Sequence, residues 1–365
     1  MSKKKYIEVA EIMKKRLCDK VYTASSLPSE RKLAVQLGVS YLTVRKAMKS
    51  LLKEGVLQRN KNGRLSANST VPQKHRSLNI GFLMPPSIWA AQHSWLYELT
   101  ELVKEKQGVI RPITYFNVSD PVVFEALEGD FDGLFIILPP EVPNLLLDLL
   151  EKKRRKIVVL WRDLTHLGIP SIENAPPRFV GKLLDHLSGL GHKRIDCLNT
   201  QRVEPVVRER IEHWNIGIEK RKIYGRLHYS VPRPYVPGLQ PIRKFVSSLI
   251  DDGQLNSSAL FCVTTSQAWA AMKACQDKGL KVGQDISICG FGEMDIAQML
   301  TPSITAVQPA GRKPFLSMGL EWIETQGKNW SRPLRLEPED VPLFIGESTG
   351  PAPARFEEKS ISMVS

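Results

Sequence analysis

The sequence predicts an α/β protein with a small basic helical head and a large body of two α/β lobes built on mainly parallel sheets. Three observations carry this. Basic residues crowd the first fifth of the chain. Two short helical patterns there are joined by a three-residue turn that contains Gly38. From Leu78 onward, β-rich runs alternate with helical ones, which implies βαβ units.

The charge is asymmetric. The chain has 365 residues and a formal net charge of +13. Residues 1–77 hold 18 Lys and Arg against 5 Asp and Glu, and the other 288 residues hold 33 of each sign. A small basic module on a neutral body is the footprint of a polyanion binder. It excludes a uniformly basic coating protein.

Taken in order, residues 6–18 place Tyr6, Val9, Ala10, Met13 and Leu17 at helical spacing, with charged groups opposite. Ser29 then suits a helix N-cap, and Glu30 suits the positive helix start. Leu33, Ala34 and Leu37 form the inward stripe of that helix. Gly38 ends it in a conformation that costs glycine little. Ser40 caps a second helix, in which Val44, Ala47, Met48, Leu51 and Leu52 fall on one face. Tyr41, Thr43, Arg45, Lys46 and Lys49 are left outside. Two such helices describe a helix-turn-helix, whose second helix meets base edges in the major groove. Residues 56–59 and 64–66 flank Asn62-Gly63, a strong hairpin signal. A basic hairpin there suits contact with phosphates.

The string LPSERKLAVQLGVSYLTVRKAMKSLLKEGVL resembles the winged helix-turn-helix of the GntR family of bacterial transcription regulators. The resemblance implies DNA contacts by Arg31, Ser40, Thr43, Arg45 and the hairpin residues Lys61, Asn62, Gly63 and Arg64. Tyr41 and Lys46 lie beside them on the reading helix. The family pattern has Arg directly after the serine, and this chain has Tyr41. The resemblance therefore gives a binding mode and leaves the base preference open.

Residues 67–77 are polar without apolar periodicity and predict a linker between a head at 1–66 and a body at 78–350. Strand patterns fall at 78–83, 133–138, 157–161, 195–198, 259–263 and 287–290. Helical patterns fall at 94–106, 177–187, 241–250, 267–278 and 314–325. A tail at 351–365 is predicted to be disordered. Ligands of open α/β sheets sit outside the carboxyl ends of the strands, so the loops there are the place to look.

Several phrases make the body similar to the LacI-type effector domain, a relative of periplasmic sugar-binding proteins. They include Ile80-Gly81-Phe82-Leu83-Met84-Pro85, Leu190-Gly191-His192-Lys193-Arg194-Ile195 and Asp285-Ile286-Ser287-Ile288-Cys289-Gly290-Phe291. The resemblance implies a sugar between two lobes, bound by Arg210. The family's Asn-Asp before a helix is here Thr264-Thr265, and its Asp after Gly-Phe is Gly292, followed by Glu293. Leaving hydroxyls unpaired costs ~1–3 kcal/mol each, so the ligand is expected to be held by a different set of groups. The expected ligand contacts are Ser87, Trp89, Trp161, Asp163, Arg210, Thr265 and Glu293.

Phosphate-loop, nucleophile-elbow and zinc-protease patterns are missing, and the seven histidines show no ligand spacing. No enzyme, cofactor or metal is expected. His186 and His192 are expected to be structural. The basic N-terminus lacks an apolar stretch of signal-peptide length, and no run approaches the roughly 20 apolar residues of a membrane span. Five cysteines without a C-x-x-C pair predict buried free thiols in a reducing cytoplasm. The expected protein is a cytoplasmic homodimer that binds a double-stranded DNA operator, most simply as a repressor, under the control of a sugar. The alternative is a DNA-binding regulator whose body has lost small-molecule sensing and serves dimerisation or protein binding.

Overall fold

The computed structural model describes residues 5–18, 27–59, 65–67, 77–86, 90–117, 119–139, 141–201, 205–230 and 238–354. It divides into two compact units, residues 1–78 with 103–109, and residues 79–102 with 110–365.

The first unit contains three helices, α1 (Lys5–Cys18), α2 (Glu30–Leu37) and α3 (Tyr41–Lys53), and a pair of strands, β1 (Leu57–Arg59) and β2 (Leu65–Ala67). Its core is the predicted stripe. Val9, Ala10 and Met13 of α1 meet Leu33 and Ala34 of α2 and Val44, Ala47, Met48 and Leu51 of α3. The caps are as the residue types require. Ser29 Oγ accepts from the amide of Lys32 at 3.4 Å. Gly38 takes a left-handed φ of 60°, where a Cβ is costly, and turns the chain out of α2. β1 and β2 pair antiparallel, with Gln58 opposite Ser66. β2 ends on Ala67, one residue into the expected linker. Residues 68–76 lie outside the described residues.

The second unit holds two sheets. The first lobe runs β3 (Asn79–Met84), α4 (Ala90–Glu105), β4 (Val109–Thr114), α5 (Pro121–Glu128), β5 (Gly133–Ile137), α6 (Asn144–Lys152), β6 (Ile157–Leu160) and β7 (Ser171–Ile172). The second lobe runs α7 (Val180–Gly189), β8 (Ile195–Asn199), α8 (Pro205–Lys220), β9 (Leu227–Tyr229), α9 (Gln240–Asp251), β10 (Ala259–Cys262), α10 (Thr265–Asp277), β11 (Ser287–Phe291), α11 (Met294–Met299) and β12 (Thr305–Val307). The chain then returns to the first lobe for α12 (Arg312–Thr325) and β13 (Arg335–Leu336), and ends in the second with β14 (Leu343–Phe344). The sheet orders are β13-β7-β6-β5-β3-β4 and β14-β12-β11-β10-β8-β9. Both are mostly parallel, and β14 joins β12 antiparallel.

The central strands are short apolar runs because both faces are covered. One face of the second sheet packs Leu183, Leu187, Trp214 and Phe261, and the other packs Val246, Ala271 and Leu260. The first sheet buries Ile136 and Val159 against Leu127 of α5 and Leu150 of α6. The four described cysteines, Cys197, Cys262, Cys275 and Cys289, are buried free thiols, and burial pushes Cys275 up to about 12.

The chain crosses between the lobes three times, and the crossings are stitched together. Asn174 and Ala310 exchange hydrogen bonds, Nδ2 to carbonyl at 2.8 Å and amide to carbonyl at 2.9 Å. The amide of Gln308 donates to the carbonyl of Pro342 at 3.0 Å, and that of Glu173 to Leu336 at 3.0 Å. His192 is buried, with Nδ1 2.8 Å from Ser258 Oγ and Nε2 3.0 Å from Ser287 Oγ, which is the structural place expected of it. The tail differs from expectation at its start. The amide of Ala352 donates to the carbonyl of Leu190 at 2.9 Å, so the body continues past residue 350. Residues 355–365 lie outside the described residues.

Candidate DNA-reading helix and ligand cleft

The start of α3 is built by Ser40. Its Oγ accepts from the amide of Thr43 at 3.2 Å and lies 2.8 Å from Thr43 Oγ1. Both hydroxyls expected to face DNA are thus tied to the helix cap. The exposed positions beyond them are Tyr41, Leu42, Arg45, Lys46 and Lys49, with Arg31 exposed on α2. The expected contacts Lys61, Asn62, Gly63 and Arg64 lie outside the described residues.

In the body, a narrow crevice with an internal volume of about 10 Å³ lies between the lobes at the carboxyl ends of their strands. Trp161, Arg162 and Asp163 follow β6, and Glu173 follows β7. Val206 and Glu209 enter from α8, and Arg335 from β13. Trp161 takes a left-handed φ of 61°, and its ring meets Trp95 edge-on with centroids 6.0 Å apart. Its amide is held by the carbonyl of Ile172 at 2.9 Å. An aromatic wall of this kind suits the apolar face of a ring.

Asp163 accepts from the amide and hydroxyl of Thr165 and forms an ion pair with Arg335 at 2.8 Å. Burial pushes its carboxyl up, but the Thr165 and Arg335 bonds outweigh this and hold it below its ordinary value. Glu173 is the opposite case. Burial pushes it up to about 7, while Arg210 and the amide of Ala175 act to lower it.

Three other expected ligand contacts are bonded within the protein and are not among the residues that line this crevice. Arg210 donates Nη1 to the carbonyl of Val263 at 2.8 Å and lies 4.1 Å over the Phe291 ring, while Val206 and Glu209 of the same helix line the cleft. Thr265 is fully buried, and its hydroxyl donates to the carbonyl of Gly292. α10 approaches β11 closely there, since a Cβ on Gly290 would lie 2.7 Å from Thr265 Cα. Glu293 accepts from Ser266, through the amide at 2.7 Å and the hydroxyl at 2.6 Å. A carboxylate at the positive start of α10 is a helix cap. Ser87 and Trp89 lie outside the described residues. Glu173, Glu209, Arg162 and Arg335 were missed in the sequence. The position directly after a strand was the available signal for Glu173, and Arg335 had none.

Residues 5–65 match the bacterial regulatory proteins of the gntR family, and residues 184–313 match the periplasmic binding protein-like domain. The head is thus similar to gntR-family regulatory proteins, and part of the body to the periplasmic binding protein-like domain. The chain is 22% identical over 289 residues to the probable HTH-type transcriptional repressor ExuR of Bacillus subtilis (strain 168), covering 76% of this chain and 85% of that protein. It is similar in fold to the lac repressor dimer bound to operator and the anti-inducer ONPF, with a TM-score of 0.63 and 19% identity over 75% of this chain and 94% of that one. A LacI family regulator from Enterococcus faecium with bound ribose gives a TM-score of 0.61 and 17% identity over 75% and 99%. At these identities the solved structures establish the fold. Of the proteins similar to this chain, ExuR is a probable transcriptional repressor and the lac repressor is a repressor bound to its operator. Among the described residues of this chain, no group of three or more acidic, His or Cys side chains could hold a metal ion. No described helix is long and apolar enough to cross a membrane.

Proposed function

We propose that the protein is a cytoplasmic, homodimeric transcriptional repressor whose affinity for a double-stranded DNA operator is set by a sugar bound between the lobes of the body. The head at 1–66 carries the DNA contacts, with Arg31, Arg45 and Lys46 exposed for them. The body from 78 onward carries the sugar. The observation that carries the ligand reading is the interlobe crevice, lined by Trp161 together with Asp163, Glu173, Glu209 and Arg335. These carboxylates stand in for the acceptors missing at Thr264, Thr265 and Gly292. The ribose-bound neighbour supports a sugar as the ligand class.

The mechanism is linkage. A ligand that binds one arrangement of the lobes more tightly shifts the population toward it. Coupling to DNA is then worth ~1–3 kcal/mol, or about 5–150-fold in operator affinity. Thermal unfolding of the full chain against monosaccharides, disaccharides, sugar acids and sugar phosphates tests this. A ligand at about 100 times its Kd adds ~2.7 kcal/mol and raises Tm by several degrees. The same compound must also change operator affinity. A folded protein that responds to none of the panel overturns the sugar reading.

A further inference from the structure

The reading face of α3 (Tyr41–Lys53) contains two side chains that a purely electrostatic contact with DNA does not need. Tyr41 is 40% exposed and Leu42 is 66% exposed. Tyr41 and Arg45 are four residues apart, as are Leu42 and Lys46, so they form two neighbouring exposed rows, the first flanking the buried Val44, Ala47, Met48 and Leu51 and the second opposite them. Ser40 and Thr43 are tied to one another at 2.8 Å and serve the helix start. The first turn of the reading helix therefore offers bases an aromatic and an aliphatic group, with Arg45 and Lys46 behind them. Scattered exposed apolar residues are ordinary on a protein surface. Here they sit among cations, on the helix that enters the groove, in the part of the chain that holds the whole charge excess. Charge complementarity fixes the occupant as DNA. In the major groove the only apolar group a base pair presents is the thymine 5-methyl.

We infer that Tyr41 and Leu42 read thymine methyl groups, so that the operator half-site carries A·T pairs at the positions they face. An Arg after the serine would take guanine there through O6 and N7. This rests on the reading of the head as a DNA binder and adds the base class that it selects.

The test uses the full-length protein and a library of randomised duplex DNA. The selected site is resynthesised with deoxyuridine in place of each thymidine in turn, which removes only the methyl group. Expected are fixed A·T pairs and a loss of about fourfold in affinity at each methyl that is read, the value for one buried carbon group. Tyr41→Ala and Leu42→Ala should each abolish the sensitivity to uracil at one position. Tyr41→Arg should move one selected position to G·C. The uracil substitution leaves the protein untouched, so a folding defect cannot imitate its effect. A selected site with G·C at these positions, no effect of uracil, or a uracil effect that survives in both alanine variants overturns the inference while leaving DNA binding intact. Recovery of no DNA from the library overturns DNA binding itself.

Discussion

Glu173 follows β7 directly, and its buried carboxyl accepts from the amide of Ala175 at 3.0 Å. Burial pushes it up from 4.5 to about 7, against the lowering effects of Arg210, the Ala175 amide and Arg335, with Glu209 adding to the rise. The folded state therefore binds a proton more tightly than the unfolded chain. Stability falls as pH rises from about 4.5 to about 7, and the full penalty applies above that. Glu173→Gln keeps the shape and the acceptor and removes the charge. It should match the parent near pH 4 and exceed it at pH 8 by on the order of 3 kcal/mol, as read by urea unfolding at both values. A difference that does not grow with pH sinks this account. Trp161 and Asp163 were legible in the sequence because they follow β6, a four-residue apolar run. Arg335 was not, because it sits on a two-residue strand with no period and reaches Asp163 across 172 positions.

The same contrast holds for whole elements. Helix starts and stops in the head were readable because they depend on one residue each, as at Ser29, Gly38 and Ser40. The six central strands were readable as short runs of Val, Ile, Leu and Phe. β4 escaped notice because it is a largely exposed strand with Pro112 inside it. β7, β13 and β14 have two residues each and exist only through pairing. Ser40 is where the role of an element can be separated from DNA contact. Ser40→Ala removes the cap of α3 and should cost about 1 kcal/mol of head stability, seen without any DNA. Ser40→Asp keeps a capping oxygen and suits the helix dipole, so the fold should hold. Its negative charge should still weaken binding to duplex DNA about equally for every sequence. Normal DNA binding by Ser40→Asp would place residue 40 away from the phosphates.

At the scale of the whole molecule, the sequence separates a charged head from a neutral body, and the structure gives the body two lobes joined by three crossings. Those crossings are bonded to one another at Asn174, Ala310, Gln308 and Pro342. In a body with two lobe arrangements these bonds would make the three crossings move as one hinge. For that motion to act on DNA, two heads must be held at a set separation. Half-sites read by such a pair lie about 34–36 Å apart, one helical turn of roughly 10 base pairs. Inserting five base pairs between the half-sites turns them to opposite faces of the duplex. Operator affinity should then fall to that of a single half-site, and an insertion of ten should restore part of it. The measurement is a binding titration on the three spacings, with and without the sugar found by thermal unfolding. If all three bind alike, the heads act independently and spacing cannot be the means of control. If the spacing matters but the sugar shifts all three curves equally, the sugar acts within one head and body rather than on the distance between heads.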